Sequence, residues 1–551
     1  MPSTRPRTSA ALRVLVLVGA LVISGLAGPV IAADAAAAPG GTTAASADRA
    51  EPAPRLESTP ATNAAVAPPD DRPATPSTED TVGYVEGYWY DDELPVDGQS
   101  DAVVDDDDLE PVVYRAMARV EVIRNQTFKE EVAVDVVSRE TYRQTNDERF
   151  ENYTAAERLE QNVGYEALFT VGRDTTAVNA TKTVYGGAVK GYYDPETDEI
   201  VIVSENPETP ALDELTLGHE LVHALQDQRF NLSELNGSTQ DASLATKGVI
   251  EGDASWIERE YEHRCGVEWD CLTPRSDGGP GQFDVNWGIY VAIYQPYSDG
   301  PGYIDYLRQQ GEGWSAVNAA YDEPPATTSA VIHPGSEREP VTVSVPDRSS
   351  DGWRQLTVDG VVANDTIGEA GMVAMFAADA MDQDQPSVLD ATDLDVLGGG
   401  RGFDYDHTVT DGWAGDRLVI YTTDEIDNAT DPADAAGQAG YVWRTEWQSA
   451  EDTGEFLEGY RELLENHGAE AVTARQNTFV IDDGGYSGAY YIERNGTTAT
   501  IVRAPSVAAL SNVDAGAAPE ATAGTGMRAA VGAIAVTLFG TGAWLAVGRH
   551  R

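Results

Sequence analysis

Leu217-Gly218-His219-Glu220-Leu221-Val222-His223-Ala224-Leu225-Gln226-Asp227 is the stretch on which the reading of this chain turns. On a helix, His219 and His223 stand one turn apart and face the same way. Two imidazoles on one face can chelate Zn2+, and the glutamate beside the first histidine, Glu220, aims a carboxylate at a water on the metal. Leu221, Val222, Ala224 and Leu225 supply apolar flanks, as a buried helix requires. The chain has only seven histidines, and chance would give on the order of 0.01 matches to this pattern. The plain alternative is a core helix that happens to carry two polar residues. Burying two histidines and a glutamate without a metal is costly, so the metal reading leads.

A third ligand must come from elsewhere. Gln226 and Arg229 occupy the positions where a metzincin carries Gly and His, which excludes that extension. Glu251, in Val249-Ile250-Glu251-Gly252-Asp253-Ala254-Ser255-Trp256, follows His223 closely enough to return on a second helix after a loop over Phe230 to Gln240. Asp253 is its rival, as ligand or as partner to a ligating histidine, and His263 is a weaker one. Tetrahedral intermediates also need a donor to the developing oxyanion. His333, in the extended Ile332-His333-Pro334, is the candidate, against the plain alternative of a surface-loop histidine.

Working outward, Pro111 to Arg124 and Ala155 to Leu168 have helical spacing, and Val132, Val134 and Val136 alternate as in a strand. Asp105 to Asp108 reads as a solvated acidic loop. Gly191 to Ser204 reads as a hairpin, with Ile200 to Ser204 expected as an edge strand able to pair with an extended peptide. Thr209 or Asp213 caps the motif helix, and a further helix is expected over Leu244 to Tyr261. Phe283, Trp287, Tyr290 and Tyr294 form an aromatic stripe read as core. Pro296 to Gly300 reads as a turn. Downstream, a helix capped by Thr366 is expected to reach about Met381. Leu418 to Tyr421 should pair with Tyr441 to Thr445, Glu451 to Leu464 should be amphipathic, and Asn495-Gly496 should turn a hairpin.

The predicted organisation is α+β. Residues 1–33 read as a signal peptide, with a basic start, an apolar run from Val14 to Leu26 and small residues after it. Residues 34–80, rich in Ala, Pro and Thr, read as a disordered stalk. A zincin-like catalytic lobe is expected over 81–345, a second α+β lobe over 346–507 and a linker over 508–527. A transmembrane helix is expected over 528–548, and Arg549 to Arg551 would form a cytoplasmic tail. Eight N-x-S/T sequons (Asn125, Asn152, Asn179, Asn231, Asn236, Asn364, Asn428 and Asn495) point to N-linked glycans, and Cys265 and Cys271 are close enough in sequence to form a disulfide.

Composition sets the outer limits. Ninety-two acidic side chains against 36 Lys and Arg give a net charge of −56. A nucleic-acid partner is thereby excluded, since phosphate binding needs a basic footprint. Only four lysines are present: Lys129, Lys182, Lys190 and Lys247. Such an acid excess with little lysine matches the surfaces of proteins that stay hydrated in high salt.

The run HELVHALQDQ followed by EGDA resembles gluzincin-type metallopeptidases. A wider pattern over about residues 82 to 505 resembles a haloarchaeal family of surface proteins. It includes Tyr84 to Tyr90, Met117 to Glu121, Pro296 to Gly300, Ile332-His333-Pro334 and Gly412 to Arg417. The resemblance implies His219, His223 and Glu251 as metal ligands and Glu220 as general base. Thermolysin-like enzymes have a shorter gap to the third ligand and an aspartate where this chain has Ser255. The expected protein is a zinc metallopeptidase on the cell surface, held in the membrane by its C-terminal helix and acting on peptide or protein substrates. The alternative is a non-enzymatic glycosylated surface or adhesion protein with a structural or vestigial metal site. The intact Glu220 favours the enzyme, since a purely structural site does not need it.

Overall fold

The computed structural model describes residues 72–521, except 100, 151–152, 275–284, 337, 339, 383–384, 397–401 and 428–431. The expected signal peptide, almost all of the stalk, the C-terminal helix and tail, Phe283, Asn152 and Asn428 lie outside the described residues. Among those described, no helix is long and apolar enough to cross a membrane.

The chain is α+β. Helix α1 (Asp106–Arg124) begins where an acidic loop was expected. Asp105 is its N-cap and accepts hydrogen bonds from the backbone N–H groups of Asp107 and Asp108. Carboxylates there satisfy orphan donors and complement the helix dipole, so the acid cluster starts a helix. Strand β1 (Ala133–Ser138) follows, then helix α2 (Ala155–Ala167), held by a capping box between Thr154 and Glu157. The hairpin is present as β2 (Gly191–Asp194) and β3 (Glu199–Ser204).

The edge assignment is different from that expected. The strand order is β1-β3-β2, with β3 parallel to β1 and antiparallel to β2. Ile200 to Ser204 is therefore the central strand, and β2 is an edge. Ile200, Ile202 and Val203 are buried, as a strand paired on both sides should be.

Helix α3 (Glu214–Phe230) carries the motif and is capped by Asp213. A 3-10 turn at Leu232–Glu234 leads into α4 (Gln240–Arg264), longer at both ends than expected. Cys265 and Cys271 form a disulfide just beyond it. Helix α5 (Trp287–Gln309) then packs along α4. The segment Pro296 to Gly300 lies inside α5 and is not a turn. Close packing supports the helix there: a Cβ on Gly252 of α4 would lie 2.6 Å from the Gly300 carbonyl carbon. Only two facing glycines permit that approach.

The downstream half contains α6 (Gly368–Phe376), β4 (Trp413–Thr422), β5 (Gly440–Trp447), α7 (Ala450–Asn466), β6 (Gly488–Asn495) and β7 (Thr498–Ala504). An antiparallel sheet runs Thr478–Ile481, β6, β7, β5, β4, Arg354–Gln355. Leu418 faces Trp443 in the expected strand pair. Thr366 does not cap α6. Asp416, from β4, accepts the N–H groups of Ile367 and Gly368, both at 3.0 Å. The cap comes from 48 residues downstream, so local sequence could not disclose it.

Packing bears on two expected boundaries. A single buried cluster joins Leu159 and Val163 of α2, Ile289 and Tyr290 of α5, Met372 and Phe376 of α6, and Trp443 and Tyr460 of the downstream half. That cluster crosses the expected division at 345, whereas a second has its buried members between Val85 and Leu272 and a third between Val419 and Ala518. The expected linker from 508 is ordered as far as 521: Leu510 and Val513 are fully buried under the sheet. Five sequon asparagines (Asn125, Asn179, Asn231, Asn236 and Asn495) are exposed. Asn364 is half-buried, and its amide is engaged by Val362 O and Arg417.

Candidate metal centre

Helix α3 is buried on every side near the motif because α1, β2 and α4 all pack on it. Its first turn is clamped by charge. Glu214 accepts from Arg119 Nη1 at 2.5 Å, Tyr261 Oη at 2.6 Å and the Leu272 N–H at 2.9 Å. Fixing that turn fixes the direction in which residues 219 to 223 point.

His219, Glu220 and His223 are all buried, as is Glu251 on α4. Glu251 Oε2 lies 3.4 Å from His219 Nε2 and 3.3 Å from His223 Nε2. The three ligand atoms all lie within 4.8 Å of one another. Bonds of ~2.0–2.2 Å at tetrahedral angles would hold ligand atoms roughly 3.4 Å apart. The set fits a metal ion on three counts. Its spacing is that of a coordination sphere, His223 Nε2 is buried without a hydrogen-bond partner, and two imidazoles with one carboxylate suit Zn2+. Although His223 Nε2 is near Glu251, the pair lacks hydrogen-bond alignment.

The outward ring nitrogens are fixed as well. His219 Nδ1 is 3.0 Å from Glu258 Oε2, and His223 Nδ1 donates to Gln226 Oε1 at 2.8 Å. Gln226 Nε2 in turn donates to Ile250 O on α4. These contacts orient both rings so that Nε2 faces Glu251. Glu258 and Gln226 were not singled out in the sequence as orienting groups. Gln226 is three after His223 and Glu258 seven after Glu251, which places them on the faces already in use.

The carboxylate and imidazole titrations agree with a cation site. Burial pushes Glu251 upward, but His223 and His219 outweigh it and hold the group at about 2. Burial pushes His219 downward, while Glu251 and Glu258 raise it to about 10.

Asp253, the rival ligand, is committed elsewhere. Its Oδ2 accepts from Arg124 Nε at 3.1 Å and from Tyr321 Oη at 2.8 Å. Two residues along a helix point about 200° apart, so Glu251 and Asp253 cannot serve one site. His263 lies in the last turn of α4, three turns from Glu251. His333 caps the short helix Thr328–Ile332, and its Nε2 is 2.9 Å from Glu369 Oε1. That pairing ties it to α6 and not to the His219–His223–Glu251 cluster. The hydroxyl that meets Glu251 belongs to Tyr297 of α5, whose ring stacks 6.3 Å from that of His219. Burial and the nearby Glu251 carboxylate raise the Tyr297 pKa well above its ordinary value. Reading 296–300 as a turn hid this residue.

Glu220 faces the sheet edge: its Oε2 accepts the backbone N–H of Tyr193 at 2.9 Å. Edge strand β2 therefore runs beside the motif helix, in the place expected for β3.

Residues 354–514 match a family model described as a domain of unknown function (DUF8575). His219, Glu220, His223 and Glu251 all precede that segment, so the match describes the part of the chain that carries the large sheet. Comparisons with curated proteins and with solved structures find no match.

Proposed function

We propose that the chain is a zinc-dependent metallopeptidase with a zincin-like lobe, displayed on the cell surface on a C-terminal membrane helix. The convergence of buried His219, His223 and Glu251 around one point, with Glu220 adjacent, carries the reading. His219 and His223, on the motif helix, and Glu251, on α4, would hold the ion. That ion would lend Lewis acidity to a scissile carbonyl and lower the pKa of a water.

The chain's own groups account for the remaining work. Glu220 takes the proton from the attacking water and delivers it to the leaving amine. Its bond to the Tyr193 N–H keeps one oxygen oriented while the carboxylate serves. An extended peptide pairs along the edge of β2, whose backbone lies next to Glu220. Tyr297 is the hydroxyl best placed to donate to a developing oxyanion, in the role first assigned to His333.

The decisive test uses full-length protein in high salt, with metal analysis and a casein-like substrate. Glu220→Gln should keep the metal and the fold while hydrolysis disappears. Gln is nearly isosteric but cannot accept the proton. Equal hydrolysis by both proteins would remove the proposed base. A metal-loaded wild type without hydrolysis would leave the non-enzymatic surface-protein reading.

A further inference from the structure

Lys247 is out of keeping with the chain around it. The other lysines are all engaged. Lys182 pairs with Asp147 at 3.4 Å and Lys190 with Asp213 at 3.9 Å, while Lys129 donates to Gln228 O. Lys247 is half-buried on α4, and no hydrogen bond or ion pair of its ammonium is seen among the described residues. This occurs in a protein with 92 carboxylates. A half-buried ammonium that no carboxylate of the protein engages is available to pair with one from a ligand.

Its position supplies the reason. Residues 247, 251 and 258 share one face of α4 at i, i+4 and i+11. Glu251 and Glu258 both reach His219, so this face looks onto the motif helix. Gly248 and Gly252 mark a different face, seated against Val331 and Gly300. Lys247 thus extends the ligand-bearing stripe one turn, about 6 Å along the helix axis from Glu251. Burial lowers its pKa, and Glu251 is the charged group that acts against this. Uncharged phenols, Tyr185 and Tyr297, also lie close enough to Glu251 to feel its charge.

We propose that Lys247 is a specificity-determining residue that binds a substrate carboxylate next to the scissile bond. The carboxylate is either the C-terminal one or that of an acidic side chain. One residue of extended peptide spans ~3.3–3.6 Å, so the group sits within about two residues of the bond cleaved. A net charge of −56 opposes acidic substrates at long range. Molar salt shrinks the range of that repulsion to ~3 Å, but screens a partly buried ion pair much less. A local cation therefore confers a preference that the overall charge would otherwise deny. The inference rests on the peptide-cleft reading above.

Binding, not turnover, tests it. The probes are N-acetyl tripeptides of one sequence in three forms: free acid, amide, and amide with Glu beside the central bond. They are titrated calorimetrically into zinc-loaded, full-length Glu220→Gln protein. At least one carboxylate form should bind ten-fold or more tightly than the plain amide. Lys247→Met should abolish that preference, and Lys247→Arg should restore much of it. The form preferred identifies the source of the carboxylate. Equal binding of all three peptides overturns the proposal without any lysine variant. A preference that survives Lys247→Met, or Lys247→Gln should the Met variant not fold, also overturns it. Hydrolysis by the wild type is scored separately. Acid-selective binding without cleavage keeps the carboxylate site and removes the peptidase, whereas cleavage without acid preference does the reverse.

Discussion

Glu251 and Asp253 lie two residues apart on α4, and exchanging which one is lost should separate metal binding from folding. Asp253 forms a buried pair with Arg124, which is 2% exposed, and accepts from Tyr321. Asp253→Ala leaves the guanidinium with Asn318 as its remaining side-chain acceptor. Breaking one side of a buried ion pair costs about 3–5 kcal/mol, mostly as an uncompensated charge. Glu251→Ala removes a ligand instead. At free zinc of 100 times Kd, binding stabilises the native state by about 2.7 kcal/mol, and a 100-fold rise in Kd leaves about 0.4 kcal/mol. Denaturant unfolding followed by tryptophan fluorescence, with and without a chelator, reads both quantities. Asp253→Ala should lose stability equally in the two conditions and keep one metal per chain. Glu251→Ala should lose the chelator-sensitive part alone. If Asp253→Ala strips the metal while Glu251→Ala retains it, the assignment of ligands from this geometry is wrong.

Four further outcomes follow from particular contacts. Glu258→Ala and Gln226→Ala should each weaken zinc binding about 10- to 100-fold, measured by competition with a chelator, because each orients a ligating imidazole. Gly252→Ala should cost about 1–3 kcal/mol or more in denaturant unfolding, since its methyl meets the backbone of Gly300 and not a movable side chain. His333→Ala should leave zinc content and peptide turnover unchanged and lower stability, because it removes a partner of buried Glu369; a large fall in turnover at full stability would return His333 to the site. Burial raises Asp241 and Asp365 to about 7. Both therefore bind protons more readily when folded, so stability should increase as pH falls from 7 toward 5 at constant salt, and a decrease over that window would contradict the burial argument.

The motif helix was legible in the sequence because its information is local. Two histidines at i and i+4 must share a face of any α-helix, and Asp213 and Asn231 frame that helix with residue types suited to its ends. The hairpin at Gly191 to Ser204, the amphipathic α7 and the Asn495-Gly496 turn were legible for the same reason: each rests on periodicity or on one turn's dihedral needs. Strand order was not. Whether β3 is central or at an edge depends on β1, some 60 residues earlier, returning parallel to it. The cap of α6 comes from β4, and Pro296 to Gly300 stays helical because Gly252 admits it. Choosing Glu251 over Asp253 required Arg124 and Tyr321, which occupy the aspartate from two other helices. The sequence alone determined which side chains could bind a metal, since that depends on residue chemistry and spacing within one helix. Tertiary structure decided which of them meet and what orients them, because those outcomes belong to packing between segments that no local pattern encodes.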